Sequence, residues 1–558
     1  MPDLLARPHL VGVAEPGMQG LALWLAGSGA TVTGTVPDRL ADSPEVAALR
    51  AAGVHVDVGH DAAHLPTGAS AVVWSGVVAE PQPELDRAQK LGLPVLGRAE
   101  ALTEIAAEAG ARTVAVGGSH GTATAAAALA VALGDSAGFI LTAAARDGRA
   151  GRAAGTPGGR LVVDFCPDAG THEATPPFGW QGRPRPHFVR HRSEPAVALI
   201  LTAAENQPHF EDNPAGLDAA ERLATVAERV VLPLWDTGAV NLKARLADRA
   251  ERGLPSPFAY TVGRDRGADV WVMPIEWTGT AHRVTIRHDG NDHTYLLPVP
   301  GRSHALAVCA AIAAALVMGE DPAAVADRLA GFHGVERSLA ALGTEKGVSV
   351  VDSRARHPEE IAADLADAAR TAAATGGSVV AVLEPDGLAR TRAHGTKIGR
   401  ALQGAGSVLL LPVHTPLARV LDVTDPLVAI EQAAREKLGK GAVRRLRSGP
   451  REPGFEQQIA ALAAPGDLVL LIGPDHGVAA RLGRRLLFHL AAPTAPVPRQ
   501  RDPARRQRVQ RSSARPHHQG GRPHEPHRGR SHSPRHRPHL QRLQQHRGRP
   551  EGHRAPPA

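Results

Sequence analysis

The chain has 558 residues, with 63 Lys and Arg against 56 Asp and Glu, for a formal charge of +7. The excess is local: residues 499–558 hold 16 arginines, no lysine and three acids (Asp502, Glu525, Glu551), so they carry +13 while the rest of the chain carries −6. This excludes a basic surface spread over the fold and leaves a mildly acidic body, sized for about three domains at roughly 100–200 residues each, with a basic tail.

With aromatic residues at 3%, the core must rest on Ala, Val and Leu. Cys166 and Cys309 lie far apart without CxxC spacing, so neither a disulfide framework nor a zinc site is expected. No apolar run reaches the ~20 residues of a membrane span. The N-terminus lacks the apolar region of a signal peptide. A reducing cytoplasm is the expected setting.

In chain order, "HLVGVA" from His9 reads as a strand, followed by a glycine turn, the helical pattern "MQGLALWLAGSG" and a second strand, "TVTGTV". Further strands are expected at 71–75, 94–96, 113–117, 161–165, 196–202, 230–233, 348–352, 379–384, 408–412 and 468–473, alternating with Ala-rich helices. That alternation predicts an α/β protein with parallel sheets covered on both faces. One patch, "RVTIRHDGNDHTYLLPV", reads as antiparallel, turning at Asp289 and Gly290. Boundaries are expected near Gly110 and near 319–321, giving domains 1–109, 110–320 and 321–492, with a long loop at 170–194. Beyond about Pro493, Arg, His, Pro, Gln and Gly replace aliphatic periodicity, which predicts a disordered tail, 493–558. Three readings stay open for it: an arm for nucleic acid or anionic lipid, an inert tail, or a shifted reading frame. Nucleic-acid binding is not expected elsewhere.

Two glycine turns carry chemistry. In "GVAEPGMQG", Gly12, Gly17 and Gly20 join a strand to a helix N-terminus, where free amides and the helix dipole favour a phosphate; such turns also serve close strand–helix packing. Gly34, in the second strand, supports a nucleotide crevice there. The second turn runs from "TVAVGG" into "GSHGTATAAAALAVAL", the layout of a P-loop, in which amides cradle phosphates and a Lys reaches the β and γ groups. Gly118, Ser119, His120 and Gly121 make the turn, but Thr122 stands where the Lys belongs and Ala123 where the Ser/Thr does, leaving Thr124 as the nearby hydroxyl. Without the Lys the loop loses a point charge on the transferring phosphoryl group. It reads either as an altered phosphate loop or as a turn that no longer works as an ATPase.

From about Pro8 to Leu490, the order of these pieces resembles the Mur ligases, and within them the branch that couples L-alanine to UDP-N-acetylmuramate. "GVAEPGMQG" echoes the family's GIGGxGMSG, Ser75 its SSAI, "VLGRAEALTEI" its VxxRAExLxEL and "GSHGTATA" its GTHGKTTT. "PGRSHALAVCAA" echoes PGRHNxxNAxAA, "SRARHPEE" echoes DYGHHPTE and "EPDGLART" echoes QPHRxxRT. The resemblance implies a UDP-binding Rossmann-like domain, a central P-loop-type α/β domain and a C-terminal Rossmann-like domain. It implies ATP-dependent amide ligation through an acyl phosphate, with ATP and Mg2+ as cofactors and UDP-N-acetylmuramate and L-alanine as partners. Carried over by position, Gly12, Gly17, Gly20 and Ser75 would bind the UDP-sugar. Gly118, Ser119, His120, Gly121, Thr124, Arg302 and His304 would bind the nucleotide, and Thr124, Asp164 and Asp168 the metal. Thr122, Glu205, His209, Arg337 and His357 would take the catalytic positions.

Several departures fall on the nucleotide site. Pro167 replaces a magnesium-binding Glu; Pro208 takes a His position unless a one-residue shift brings in His209; His304 and Ala307 replace two Asn, Ser353 an Asp and Arg356 a His. Arg302, Arg337, His357 and Arg390 are kept. Two principal functions are therefore expected to compete: the ligase, and an inactive paralogue acting as a binding, scaffold or regulatory protein in cell-wall synthesis. A nucleic-acid-associated protein acting through the tail is the third.

Overall fold

The computed structural model describes residues 2–75, 83–156, 158–165, 195–203, 215–414, 425–446, 455–475 and 477–491, within one compact unit, Met1–Ala492. Cys166, Asp168, Glu205 and His209, the expected loop at 170–194 and the basic tail lie outside them.

Three sheets organise the unit. In the first, β1 (Pro8–Val11), β2 (Thr33–Val36), β3 (His55–Val58), β4 (Ala71–Trp74) and β5 (Val95–Gly97) run parallel in the order β3-β2-β1-β4-β5. The strand order reverses between β1 and β4, and a crevice opens at such a point beyond the strands' carboxyl ends. Val11 pairs with Trp74 there, which brings Gly12 and Ser75 side by side.

The central sheet has eleven strands: β6 (Thr113–Gly117), β7 (Gly138–Ile140), β8 (Gly151–Arg152), β9 (Leu161–Asp164), β10 (Val197–Ile200), β11 (Arg229–Pro233), β12 (Phe258–Gly263), β13 (Val270–Val272), β14 (Glu276–Trp277), β15 (His282–His288) and β16 (Asn291–Leu297). The run β7-β9-β6-β10-β11-β12-β13 is parallel; β8, β14, β15 and β16 add antiparallel edges. Asp289 and Gly290 make the β15–β16 turn with φ of 48° and 79°, the two positive values that a two-residue hairpin of matching twist requires.

The third sheet orders β17 (Ala340–Glu345), β18 (Val348–Ser353), β19 (Val379–Leu383), β20 (Ser407–Leu410), β21 (Val443–Arg445) and β22 (Leu468–Ile472) as β17-β18-β22-β19-β20-β21, with β17 alone antiparallel among the described strands. Its inner strands, "VVAVL" and "LVLLI", are buried throughout because helices cover both faces.

The helices Thr122–Ala132 and Arg302–Val317 pack together with alanine on almost every face. Each is enclosed by sheet and helix, so neither shows a polar stripe. The helix Pro322–Leu329 packs on the first of them and on β16, so the chain passes to the third sheet only after Leu329. No helix among the described residues is long and apolar enough to cross a membrane.

Candidate functional site

The first glycine turn sits at the crevice of the first sheet. Gly12 (φ 76°) and Gly17 (φ 79°) take left-handed conformations, and Gly17 starts the helix Met18–Gly27. Ser75, buried, donates its N–H to the Val11 carbonyl at 3.0 Å. Three of the expected sugar-binding residues therefore meet. The crevice also holds charge of its own: the Glu15 carboxylate, 1% exposed, is paired with Arg39 at 2.6 Å. The buried Arg98 guanidinium lies where a Cβ on Gly17 would fall, and it donates to the Asp164 carbonyl at 3.2 Å. Gly20 serves packing instead. A Cβ there would stand 2.5 Å from the Leu141 carbonyl oxygen and 2.6 Å from that of Ala150, so the glycine lets the helix close on β7 and β8.

The second turn follows β6. Gly121 (φ 76°) starts the helix Thr122–Ala132. Thr202, just beyond the neighbouring β10, accepts the N–H of Ser119 at 2.7 Å and of His120 at 3.2 Å on its hydroxyl, and the Ser119 hydroxyl donates to it at 3.0 Å. Two loop amides that would face a phosphate are thus satisfied within the fold. Thr122 is 1% exposed and gives the loop no cation. Thr124 meets His304 Nδ1 at 3.3 Å, His304 Nε2 meets Asp364 at 3.3 Å, and Asp364 accepts the Ser353 hydroxyl at 2.6 Å. The substitutions His304 and Ser353 therefore interlock, through Asp364, across three elements.

Three expected site residues are placed elsewhere. Asp164, expected to hold a metal, is fully buried at the end of β9 and accepts both the N–H and the hydroxyl of Thr142. Arg302 is exposed at its helix start; its N–H donates to Asp367 at 2.9 Å, and its side chain does not line the cavity described below. Arg337, expected to be catalytic, spends its guanidinium on Asp352 (2.9 and 3.0 Å), Asp475 (3.1 Å) and the carbonyls of Ser353 and Gly473. It ties β18 to the turn after β22, and burial raises the Asp352 pKa although Arg337 opposes the shift.

A cavity of about 290 Å³ lies between the second turn and the third sheet. Ser119, His120, Gly121, Thr122 and Thr124 form one wall, with Trp235, Asp236 and His304 beside them. Arg354, Arg356, His357, Glu359, Glu360 and Arg390 form the other. His357 caps the helix Pro358–Ala374: its Nδ1 accepts the Glu359 N–H at 3.5 Å, while Glu360 accepts the His357 N–H at 3.2 Å. Its ring is parallel to that of His120 (5.1 Å between centroids, 8° between planes), and the His394 ring meets it edge-on. Burial, and next the nearby His120, push the His357 pKa down to about 3, so the ring is neutral. Burial would raise the Glu360 pKa, but His120 and the Arg356 backbone N–H outweigh it and hold the carboxyl below its usual range.

A helix N-terminus facing three guanidinium groups fits a phosphate, although Asp386 pairs with Arg390 at 2.7 Å and Asp475 with Arg354 at 2.8 Å. Of the residues expected to hold magnesium, Asp164 accepts from Thr142 on one carboxylate oxygen, Thr124 lines the cavity, and Asp168 lies outside the described residues. Thr202 and Arg354 join the site without having been read from the sequence. Thr202 had no local signal, since its role depends on β10 lying beside β6. Glu359 and Glu360 were legible as first-turn acids after His-Pro.

Residues 8–109 match the Mur ligase family, catalytic domain. The chain is 31% identical over 497 residues to a UDP-N-acetylmuramate–L-alanine ligase of Streptomyces avermitilis, covering 88% of this chain and 99% of that one. It is 32% identical over 500 residues to the protein of that name in Streptomyces coelicolor, with the same coverage. Among solved structures, a UDP-N-acetylmuramate–alanine ligase of Thermotoga maritima superposes with a TM-score of 0.64 at 19% identity, covering 87% of this chain and 98% of that one. A murein peptide ligase of Psychrobacter arcticus gives 0.63 at 20% identity, covering 88% and 100%. At these identities the two structures bear on the fold alone.

Proposed function

The chain belongs to the Mur ligase family, and on that premise we propose that it is a cytoplasmic ligase of peptidoglycan-precursor synthesis, joining L-alanine to UDP-N-acetylmuramate at the expense of ATP. One observation carries this reading: relatives bearing that name align over 99% of their own length, through all three sheets. ATP, when bound, supplies the phosphoryl group that activates a carboxylate. The chain's own contribution is positioning and charge. The Gly121 turn presents a helix N-terminus, and Arg354, Arg356 and Arg390 face it with the positive charge that Thr122 lacks. The first glycine turn, with Ser75 beside it, is the place for the UDP moiety.

A second reading, an inactive paralogue that binds or regulates, is favoured by one specific feature. Thr122 is buried, and the loop amides of Ser119 and His120 are already taken by Thr202. ADP release measured with UDP-N-acetylmuramate, L-alanine and Mg2+ separates the two. The ligase reading expects substrate-dependent release from the unmodified chain and a gain of about 10–1000-fold with Thr122→Lys, the scale of one transition-state cation. No release from either protein, with UDP-N-acetylmuramate still bound, sinks the ligase and leaves the paralogue.

A further inference from the structure

We propose that His120, His357 and Glu359 form a site for a transition-metal ion of the zinc class, clipping the turn ahead of the helix Thr122–Ala132 to the start of the helix Pro358–Ala374. One ligand atom from each residue lies within 4.8 Å of the other two, and His120 Nε2 stands 3.5 Å from the Glu359 carboxylate. The opposite ring nitrogen, His120 Nδ1, is held by the Ser119 hydroxyl at 3.0 Å, and such an outer bond fixes which nitrogen is offered to a metal. The Glu359 side chain is 65% exposed and can swing without disturbing the core. Glu360 lies beside the group, accepting the Arg356 and His357 N–H groups, and adds negative charge without spending a ligand.

The parallel rings set a condition. A metal lies in the plane of each imidazole that binds it, so one ring must turn about its Cβ–Cγ bond. Ser119 holds His120, whereas the capping contact on His357 is long at 3.5 Å, so His357 is the ring that turns. Two imidazoles and one carboxylate suit Zn2+, Co2+ or Ni2+; Mg2+ prefers oxygen ligands and near-octahedral geometry. None of the three residues belongs to the magnesium set expected at Thr124, Asp164 and Asp168, and the site stands whether or not the chain turns over ATP.

Cobalt titration of the full-length, chelator-dialysed protein tests this, read by visible d–d absorption and by thermal midpoint. One Co2+ per chain should give a tetrahedral-type band that Zn2+ displaces, together with a rise in midpoint. His120→Ala and His357→Ala should each abolish the band, and Glu359→Gln should weaken binding by about tenfold or more. The nine histidines of residues 493–558 give a background shared by all four proteins, so the difference between them is the measurement. Should a histidine variant misfold by circular dichroism, Glu359→Gln carries the test alone, since that side chain is outside the core. Equal stoichiometry and spectrum in the unmodified chain and the variants, or no band in the unmodified chain, overturns the site.

Discussion

His9 illustrates what burial does to a single titratable group. It sits on β1 with no exposed surface, its Nδ1 bonded to the Thr33 hydroxyl at 2.8 Å, and burial pushes its pKa down to about 4. The unfolded chain takes up that proton near pH 6.5 and the folded chain does not until about 4. The stability held by neutral His9 is therefore complete above pH 6.5 and lost as pH falls towards 4, to a limit of about 3 kcal/mol at 1.36 kcal/mol per unit. Urea unfolding at pH 7 and pH 4.5 should show that loss, and His9→Gln should flatten it; an equal pH dependence in both proteins would contradict the argument. Single residues also mark how far the sequence could be read. Thr122 was legible because a P-loop is a contiguous motif. Arg337 and Asp164 were not, because what commits them, Asp352 and Asp475 for one and Thr142 for the other, arrives from separate strands and turns.

Elements were more legible than their neighbours. Every expected strand from 71–75 to 468–473 corresponds to an observed one, because strands buried on both faces are continuous Val, Leu and Ala runs bounded by turn residues. The strands β3, β7, β8, β12, β13, β14, β17 and β21 escaped: six of them are only two to four residues long, too short to show a period, and β12 and β17 are partly exposed. The helix Met18–Gly27 shows the limit from another side: its first-turn pattern looks like ligand chemistry, yet Gly20 is there for contact with β7 and β8. Gly20→Ala should cost about 1–3 kcal/mol through overpacking. It should lower the thermal midpoint while leaving the affinity for any ligand of the first turn within about twofold; lost affinity at unchanged stability would return Gly20 to the binding site.

At the scale of the molecule, the two passages between sheets differ in kind. The first sheet shares an apolar core with the central one, where Ile140, Leu161 and Val163 complete a cluster built from Leu10, Leu21 and Leu25. The third sheet is joined largely by polar ties: Arg146 donates to the carbonyls of Ser338 (2.9 Å), Val335 and Leu339 (both 3.4 Å), the Arg302 N–H meets Asp367, and His304 meets Asp364. Hydrogen bonds to charged groups contribute about 1.5–3 kcal/mol each. Arg146→Ala should therefore speed limited proteolysis within 330–339 severalfold at unchanged helix content; an unchanged cleavage rate would mean that Arg146 does not hold the passage. The sequence showed the alternation of strands and helices but not this asymmetry, which depends on side chains brought together from distant segments.

The fused core has a geometric outcome. Because the first and central sheets share one apolar core, the gap between the Gly12–Gly17 turn and the Gly118–Gly121 turn is set by packing, whereas the far wall of the cavity comes from residues of the third sheet and its helices. A ligand reaching from one turn to the other must match that packed spacing, so the fold screens it by length.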